Sequence, residues 1–156
     1  MPSDAFSLKQ LGPADFDEFA LLLTQLMGDI PLAIGPQGRG IYEGLINHGG
    51  TSLWGLFSGP TLCSTATLHL MPNLTHAGRP YGLIENVITE RAYRGQGLGR
   101  RVMDHALETA WAANAYKVML MTNTTARAQG FYKKLGFSDT QKDGMIIRRT
   151  PTRKPS

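Results

Sequence analysis

Cysteine is nearly absent: Cys63 stands alone among 156 residues. No intrachain disulfide can form, which excludes a small secreted fold held by bridges. Cys63 lies in the strand-like run LCSTATLHL, where a thiol is expected as a small buried hydrophobe rather than a nucleophile. Long apolar runs are missing too. No stretch approaches the roughly 18 residues of a membrane span, and MPSDAFSLKQ lacks the basic start and apolar core of a signal peptide. A cytoplasmic protein with no membrane partner is expected. None of His48, His69, His76 and His105 has metal-ligand spacing to another histidine, to Cys63 or to a carboxylate cluster, so no metal is expected. Despite a net charge of +4, no basic helix interleaved with aromatics is present, and nucleic acid is not an expected partner.

What is present suits one soluble domain. An apolar fraction of 42% with 18% charged residues is enough for a real core; the domain is expected to span 1–150, with a frayed basic tail at 151–156. Charge is unevenly distributed. Residues 1–90 carry three basic and eight acidic side chains, while residues 91–156 carry thirteen and four. The second part favours an anionic guest and the first a cationic one.

Periodicity gives the elements. FSLKQL reads as a strand, and PADFDEFALLLTQLM, with Pro13 at its start and Gly28 after it, as a helix. GDIPLAIGPQGRG reads as a loop and IYEGLINHG as a short helix. TSLWGLFS, LCSTATLHLM and YGLIENVIT are three strands with turn residues between them, expected as an antiparallel meander. In GLGRRVMDHALETAWAAN, Leu98, Val102, Met103, Ala106, Leu107, Ala110 and Trp111 fall on one helix face. YKVMLMT reads as a strand, and TARAQGFYKKLG as a helix closed by Gly136. FSDTQKDGMIIRRT reads as a last hairpin turning near Lys142, Asp143 and Gly144.

Between YGLIENVIT and the long helix lies ERAYRGQGLGRR. A strand, a glycine-rich turn and a helix N-terminus make an anion site. The first-turn N–H groups lack partners, the helix dipole is positive there, and glycine lets the backbone approach a ligand. Phosphate or pyrophosphate is the natural guest. A P-loop is excluded because Gly99 is followed by Arg100 and Arg101 rather than by Lys and Ser or Thr. A dinucleotide fingerprint is excluded because Arg100 stands where its last glycine belongs, counting from Gly95, and because the preceding strand belongs to a meander.

The run R-x-x-G-x-G at Arg94 to Gly99, followed by A-x-x-x-Y-x-x-x-G-F at residues 128–137, resembles the GNAT superfamily of acyl-CoA-dependent N-acetyltransferases. The two motifs stand in the family's order, separated by a helix and a strand. The pattern from Leu62 to Phe137 follows the family's core, whereas residues 1–60 agree only in element order. The resemblance implies an α/β (α+β) fold, with a mixed, mostly antiparallel central sheet flanked by helices and splayed fourth and fifth strands. It implies acetyl-CoA as donor substrate, with the backbone of Gln96, Gly97, Leu98, Gly99 and Arg100 cradling the pyrophosphate and Arg94, Gly95 and Arg100 completing that end. Main-chain groups of Val87 and Ile88 would meet the pantetheine arm, and Ala128, Phe131 and Tyr132 would complete the donor site. The family often has an asparagine seven residues before the tyrosine; here that position is Thr125. Thr125 suits a helix cap, and Asn123 is the alternative for the missing contact.

Acetyl transfer needs a neutral amine, a donor to the oxyanion and a proton for the departing thiolate. The resemblance gives the second role to a backbone N–H at Val87 or Ile88 and the third to Tyr132 as general acid. Glu85 is the only carboxylate inside YGLIENVIT; alternation puts it beside Leu83 and Val87, with Asn86 opposite alongside Ile84 and Ile88. Three roles fit Glu85: base, contact to the substrate's cation, or structural pairing. The histidines are expected to be structural or solvated, with His48 and His76 in loops near the acceptor side. A small-molecule amine is the expected acceptor. An extended channel along residues 28–40 and 71–80 would instead favour a protein or peptide acceptor. A noncatalytic acyl-CoA-binding domain is the remaining alternative, against which Tyr132 argues. By analogy with the family, a homodimer is expected.

Overall fold

A computed structural model describes residues 5–150, and the chain divides into two compact units, Met1–Leu120 and Met121–Ser156. In the first unit, strand β1 (Ser7–Gln10) leads through Gly12 and a short turn at Pro13–Asp15 into helix α1 (Phe16–Met27), which Gly28 ends at φ 58°. The Asp15 carboxylate fixes that entry, accepting from the Gly12 amide and from Lys9 Nζ, each at 2.8 Å.

Helix α2 (Gly35–Ile46) follows. It corrects an expectation: Gly35 to Gly40, read as loop, forms the helix's first half. Three glycines and a proline give that stretch a loop's composition, but Pro36 stands in the first turn, where its missing N–H costs nothing. Gly38 lets the helix pass close by, since a Cβ there would collide with the Ala33 carbonyl. The Arg39 guanidinium stacks over Phe16 at 4.8 Å and pairs with Asp17 at 3.3 Å, tying α2 to α1.

Strands β2 (Thr51–Ser58), β3 (Thr61–Met71) and β4 (Tyr81–Thr89) make the expected meander, with one helical turn, α3 (Thr75–Gly78), between the last two. After β4 come helix α4 (Leu98–Ala112) and a short strand β5 (Val118–Leu120). The sheet order is β1-β2-β3-β4-β5, antiparallel except for the parallel β4–β5 pair. Neighbouring strand residues point to opposite faces. Leu53 joins Phe16, Phe19, Leu22 and Tyr42 in the core beneath α1 and α2, while Trp54 meets His105 of α4 at 4.3 Å on the other face. Each such apolar side chain, when fully buried, stabilises the fold by about 1.5–3 kcal/mol.

Two features of the first unit differ from the pattern read along the chain. Trp111 was expected on the apolar face of α4 but is 51% exposed. The buried stripe runs Leu98, Val102, Ala106, Ala110, and Trp111 stands one residue, about 100°, round from it. In β4, strict alternation fails. Asn86 has φ 54°, and Asn86 and Val87 together stand opposite the single residue Ala66, a β-bulge between the pairs Thr67–Glu85 and Thr65–Ile88. Ile88 is thereby brought to the Glu85 side, into the core cluster with Leu53 and Phe57, rather than to the side of Ile84.

The bulge marks where the sheet opens. β5 pairs with Gly82, Leu83 and Ile84 only, so β4 from Glu85 to Thr89 runs on without it. A bulge bends its strand and increases the local twist, which accounts for the splay expected between these strands. Of YKVMLMT, only Val118–Leu120 is strand.

In the second unit, helix α5 (Ala126–Lys134) forms as expected and is followed by Gly136 at φ 98°. The expected hairpin over FSDTQKDGMIIRRT does not form: residues 137–150 contain no strand. A two-residue turn of the favoured type needs positive φ at its centre, and none of Lys142, Asp143 and Gly144 has it. The tail 151–156, expected to fray, lies outside the described residues.

Candidate active site

The glycine turn is braced before the glycines are reached. The Glu90 amide donates to the Cys63 carbonyl at 2.8 Å, and its carboxylate accepts from the Ala92 amide at 2.7 Å, capping the short turn Arg91–Tyr93. From the end of α1, the Gln25 side chain donates to Glu90 at 3.1 Å and accepts from the Arg91 amide at 3.1 Å. Arg94 Nε donates to the Thr89 carbonyl at 3.0 Å. Three separate side chains therefore hold the bend between β4 and α4.

Gly95 and Gly97 then adopt φ of 77° and 78°, a left-handed conformation that side-chain-bearing residues rarely take. A Cβ built on either meets no heavy atom within 4 Å. The glycines are thus demanded by backbone conformation, and no described residue crowds the side-chain position at either. Gly97 caps α4 without a side-chain bond, and the Arg101 amide is the first to bond back within the helix, to the Gly97 carbonyl at 3.1 Å. The amides of Leu98, Gly99 and Arg100 therefore have no carbonyl one turn earlier to bond to, at the positive end of a 15-residue helix. An anion with several acceptor oxygens matches this cradle, and the pyrophosphate of a coenzyme A donor is such a group.

The other sequence-derived positions sort by what their side chains do. Leu98 and Ile88 are buried in the core, leaving only their backbone for a ligand. Val87 is half-buried and Glu85 exposed, on the stretch of β4 beyond its last β5 pair. Arg100 lies 3.5 Å from Asp104 one turn along α4.

Within the second unit, Asn123 is exposed between β5 and α5. Thr125 is the N-cap of α5, its hydroxyl accepting from the Ala128 amide at 3.4 Å. The cap expected of Thr125 is therefore present. Tyr132, half-buried, makes edge contacts with Phe131 at 5.0 Å and Phe137 at 6.0 Å. The Leu135 and Phe137 amides fold back onto the Tyr132 carbonyl at 3.0 and 3.1 Å, closing the helix where Gly136 was expected to close it.

Cys63 is fully buried, and burial pushes its thiol above the usual range; it is the inert small hydrophobe expected. His105 packs edge-on against Trp54, and His76 stacks on Tyr116 at 3.7 Å. His48 and His69 meet through Thr51: its hydroxyl is 2.9 Å from His48 Nδ1 and 2.8 Å from His69 Nδ1. No spacing along the chain reveals this network, because β2–β3 pairing creates it by setting Thr51 opposite His69. Burial, with His48 beside it, pushes the His69 imidazole below the ordinary histidine value, against the opposing pull of the Glu85 carboxylate. Among the described residues, no group of three or more His, Cys, Asp and Glu is placed to hold a metal ion, and no helix is long and apolar enough to cross a membrane.

Comparison with known proteins agrees with this geometry. The profile of the acetyltransferase (GNAT) family matches residues 24–137. The solved structure of a putative acetyltransferase from Agrobacterium tumefaciens is 38% identical, with a TM-score of 0.87 over 92% of this chain and 99% of that one. An acetyltransferase structure from Trypanosoma brucei is 26% identical, with a TM-score of 0.77 over 92% and 99%. A Trypanosoma brucei brucei glucosamine 6-phosphate N-acetyltransferase is 36% identical over 76 residues, 49% of this chain and 50% of that protein. The match spans about half the length of that curated relative. The family match covers the bulged strand, the left-handed glycine turn and the capped α5 alike, and the chain belongs to the GNAT acetyltransferase family.

Proposed function

We propose that this protein transfers the acetyl group of acetyl-CoA to the primary amine of a small molecule, by direct attack in a ternary complex without an acyl-enzyme. The acceptor we propose is an amino sugar phosphate of the glucosamine 6-phosphate type, the substrate named for relatives of 36% and 43% identity over their matched segments. The observation that carries the reading is the left-handed turn at Gly95 and Gly97, uncrowded by any described residue and followed by the first-turn amides of a helix whose first backward bond starts at the Arg101 amide.

In this reading, the Gln96 to Arg100 backbone holds the pyrophosphate. The β4 edge at Val87 and Ile88, which β5 leaves unpaired, takes the pantetheine arm in the manner of an added strand. A backbone N–H of Val87 or Ile88 stabilises the oxyanion, Glu85 receives the amine's proton, and Tyr132 protonates the departing thiolate. With the Thr125 hydroxyl engaged as a cap, the remaining polar contact to the pantetheine arm falls to Asn123. A homodimer acting in the cytoplasm completes the reading, by analogy with the family.

Two experiments test it. CoA at about 100 times its dissociation constant should add roughly 2.7 kcal/mol of stability, visible as a raised melting temperature. Indifference to millimolar CoA would refute the donor site. A screen of amino sugars, amino sugar phosphates, polyamines, aminoglycosides and peptides with acetyl-CoA, read by thiol release, tests the acceptor. Glucosamine 6-phosphate should exceed unphosphorylated glucosamine in kcat/KM by about tenfold or more, as expected when a charge-assisted contact is lost. Preference for peptides would overturn that assignment while leaving the donor site intact.

A further inference from the structure

His48, exposed, follows α2, and the turn that carries it is locked onto β3. The Thr51 amide donates to the His48 carbonyl at 3.0 Å, and the Leu70 amide to the Gly50 carbonyl at 2.8 Å. Thr51 is buried and His69 half-buried, so the three side chains run from solvent to the interior of one sheet face. A threonine hydroxyl has a single proton. Lying 2.9 and 2.8 Å from two Nδ1 atoms, it can donate to one ring while accepting from the other, an arrangement in which the two imidazoles hold complementary tautomers.

The inner end of this chain lies beside the residue proposed to receive the amine's proton. Thr67 pairs with Glu85, and His69 stands two residues further along β3 on the same face. This makes His69 and Glu85 diagonal neighbours, within reach of long side chains. The Thr67 hydroxyl, fully buried opposite Glu85, has no hydrogen-bond partner among the described residues.

Resting on the proposed transfer reaction, we infer that His69, Thr51 and His48 form a proton exit, carrying the proton that the acceptor amine sheds to Glu85 out to solvent while the bound acceptor covers that carboxylate, which is exposed in the free protein. The acceptor ammonium gives one proton to the Glu85 carboxylate, which passes it to His69 Nε2. The His69 Nδ1 proton then moves to Thr51 Oγ1 as the Thr51 proton moves to His48 Nδ1, and the His48 Nε2 proton leaves to water. One proton crosses, no charge stays behind, and each imidazole ends in its other tautomer. Burial pushes the His69 imidazole below the ordinary histidine value, which favours its neutral form as the resting state of the chain. The titratable groups that act on it are His48, from the turn after α2, and Glu85, from β4. His69 and Thr51 act through Glu85 and are positioning residues.

The test compares wild type with His69→Ala, Thr51→Val and Thr51→Ser, using acetyl-CoA and glucosamine 6-phosphate with chemistry rate-limiting. Melting with and without CoA checks fold and donor binding. His69→Ala and Thr51→Val should lower kcat at neutral pH by about tenfold. The loss should shrink as pH rises and the amine arrives neutral, and free imidazole should restore part of the His69→Ala rate. Thr51→Ser, which keeps the hydroxyl, should restore most of the activity. Variants that bind CoA normally and keep the wild-type pH–rate profile would overturn the relay alone, as would a loss equal at all pH values and unmoved by imidazole. A wild type that acetylates no amine would instead overturn the transfer reaction, and the relay with it.

Discussion

Gly97→Val is expected to weaken CoA binding by at least about tenfold while costing the fold about 1–2 kcal/mol, the penalty for a residue with Cβ in left-handed backbone. Two effects add. Gly97 sits at φ 78°, which a β-branched residue takes only under strain, and relief of that strain would rotate the peptide that opens α4. The new side chain would also enter space within 4 Å of which no atom of the described residues lies, where the pyrophosphate is proposed to lie. Because no described residue crowds that position, the side chain has little to clash with, so affinity should fall more than stability. Calorimetric titration with CoA, set beside thermal unfolding of the free protein, separates the two. A valine variant with unchanged CoA affinity would remove the phosphate role from this turn.

Tyr132→Phe should lower turnover on the order of 10- to 1,000-fold and leave acetyl-CoA affinity nearly unchanged. The substitution keeps a ring against Phe131 and Phe137 and deletes only the hydroxyl. The loss should therefore appear in the step where the thiolate departs. An acyl donor with a leaving group of lower pKa needs less protonation, and it should recover part of the lost rate. Wild-type turnover of acetyl-CoA by the phenylalanine variant, with chemistry rate-limiting, would return Tyr132 to the role of a packed aromatic.

The parts of the site that were legible in the sequence are those where one residue type is physically compelled. Gly95 and Gly97 occupy angles that other residues avoid, so the motif is a direct statement about backbone. Thr125 three residues before Ala128 reads as a cap because hydroxyl-to-amide bonding is local. The meander was legible because the segments joining β2, β3 and β4, two residues and then nine with one helical turn, are rich in turn residues. What escaped depends on contacts far apart in the chain. The first half of α2 looks like loop until Phe16 and the Ala33 carbonyl show why Gly38 is needed there. Asn86 in positive φ shifts Ile88 to the other face, and nothing in YGLIENVIT announces a bulge. At residues 142–144 the turn composition was present, but the backbone angles of a tight hairpin were not. The His48–Thr51–His69 chain exists only through strand register, so each histidine judged singly looked structural.

Acetyl transfer itself is tested by thiol release from acetyl-CoA by the wild-type protein with glucosamine 6-phosphate as acceptor, with the product identified by mass. Free CoA and N-acetylated sugar phosphate are expected in equal amounts, both abolished when the amine is omitted. No thiol release with this or any other amine, from a folded protein that CoA demonstrably stabilises, would contradict it and leave a donor-binding fold without the transfer reaction.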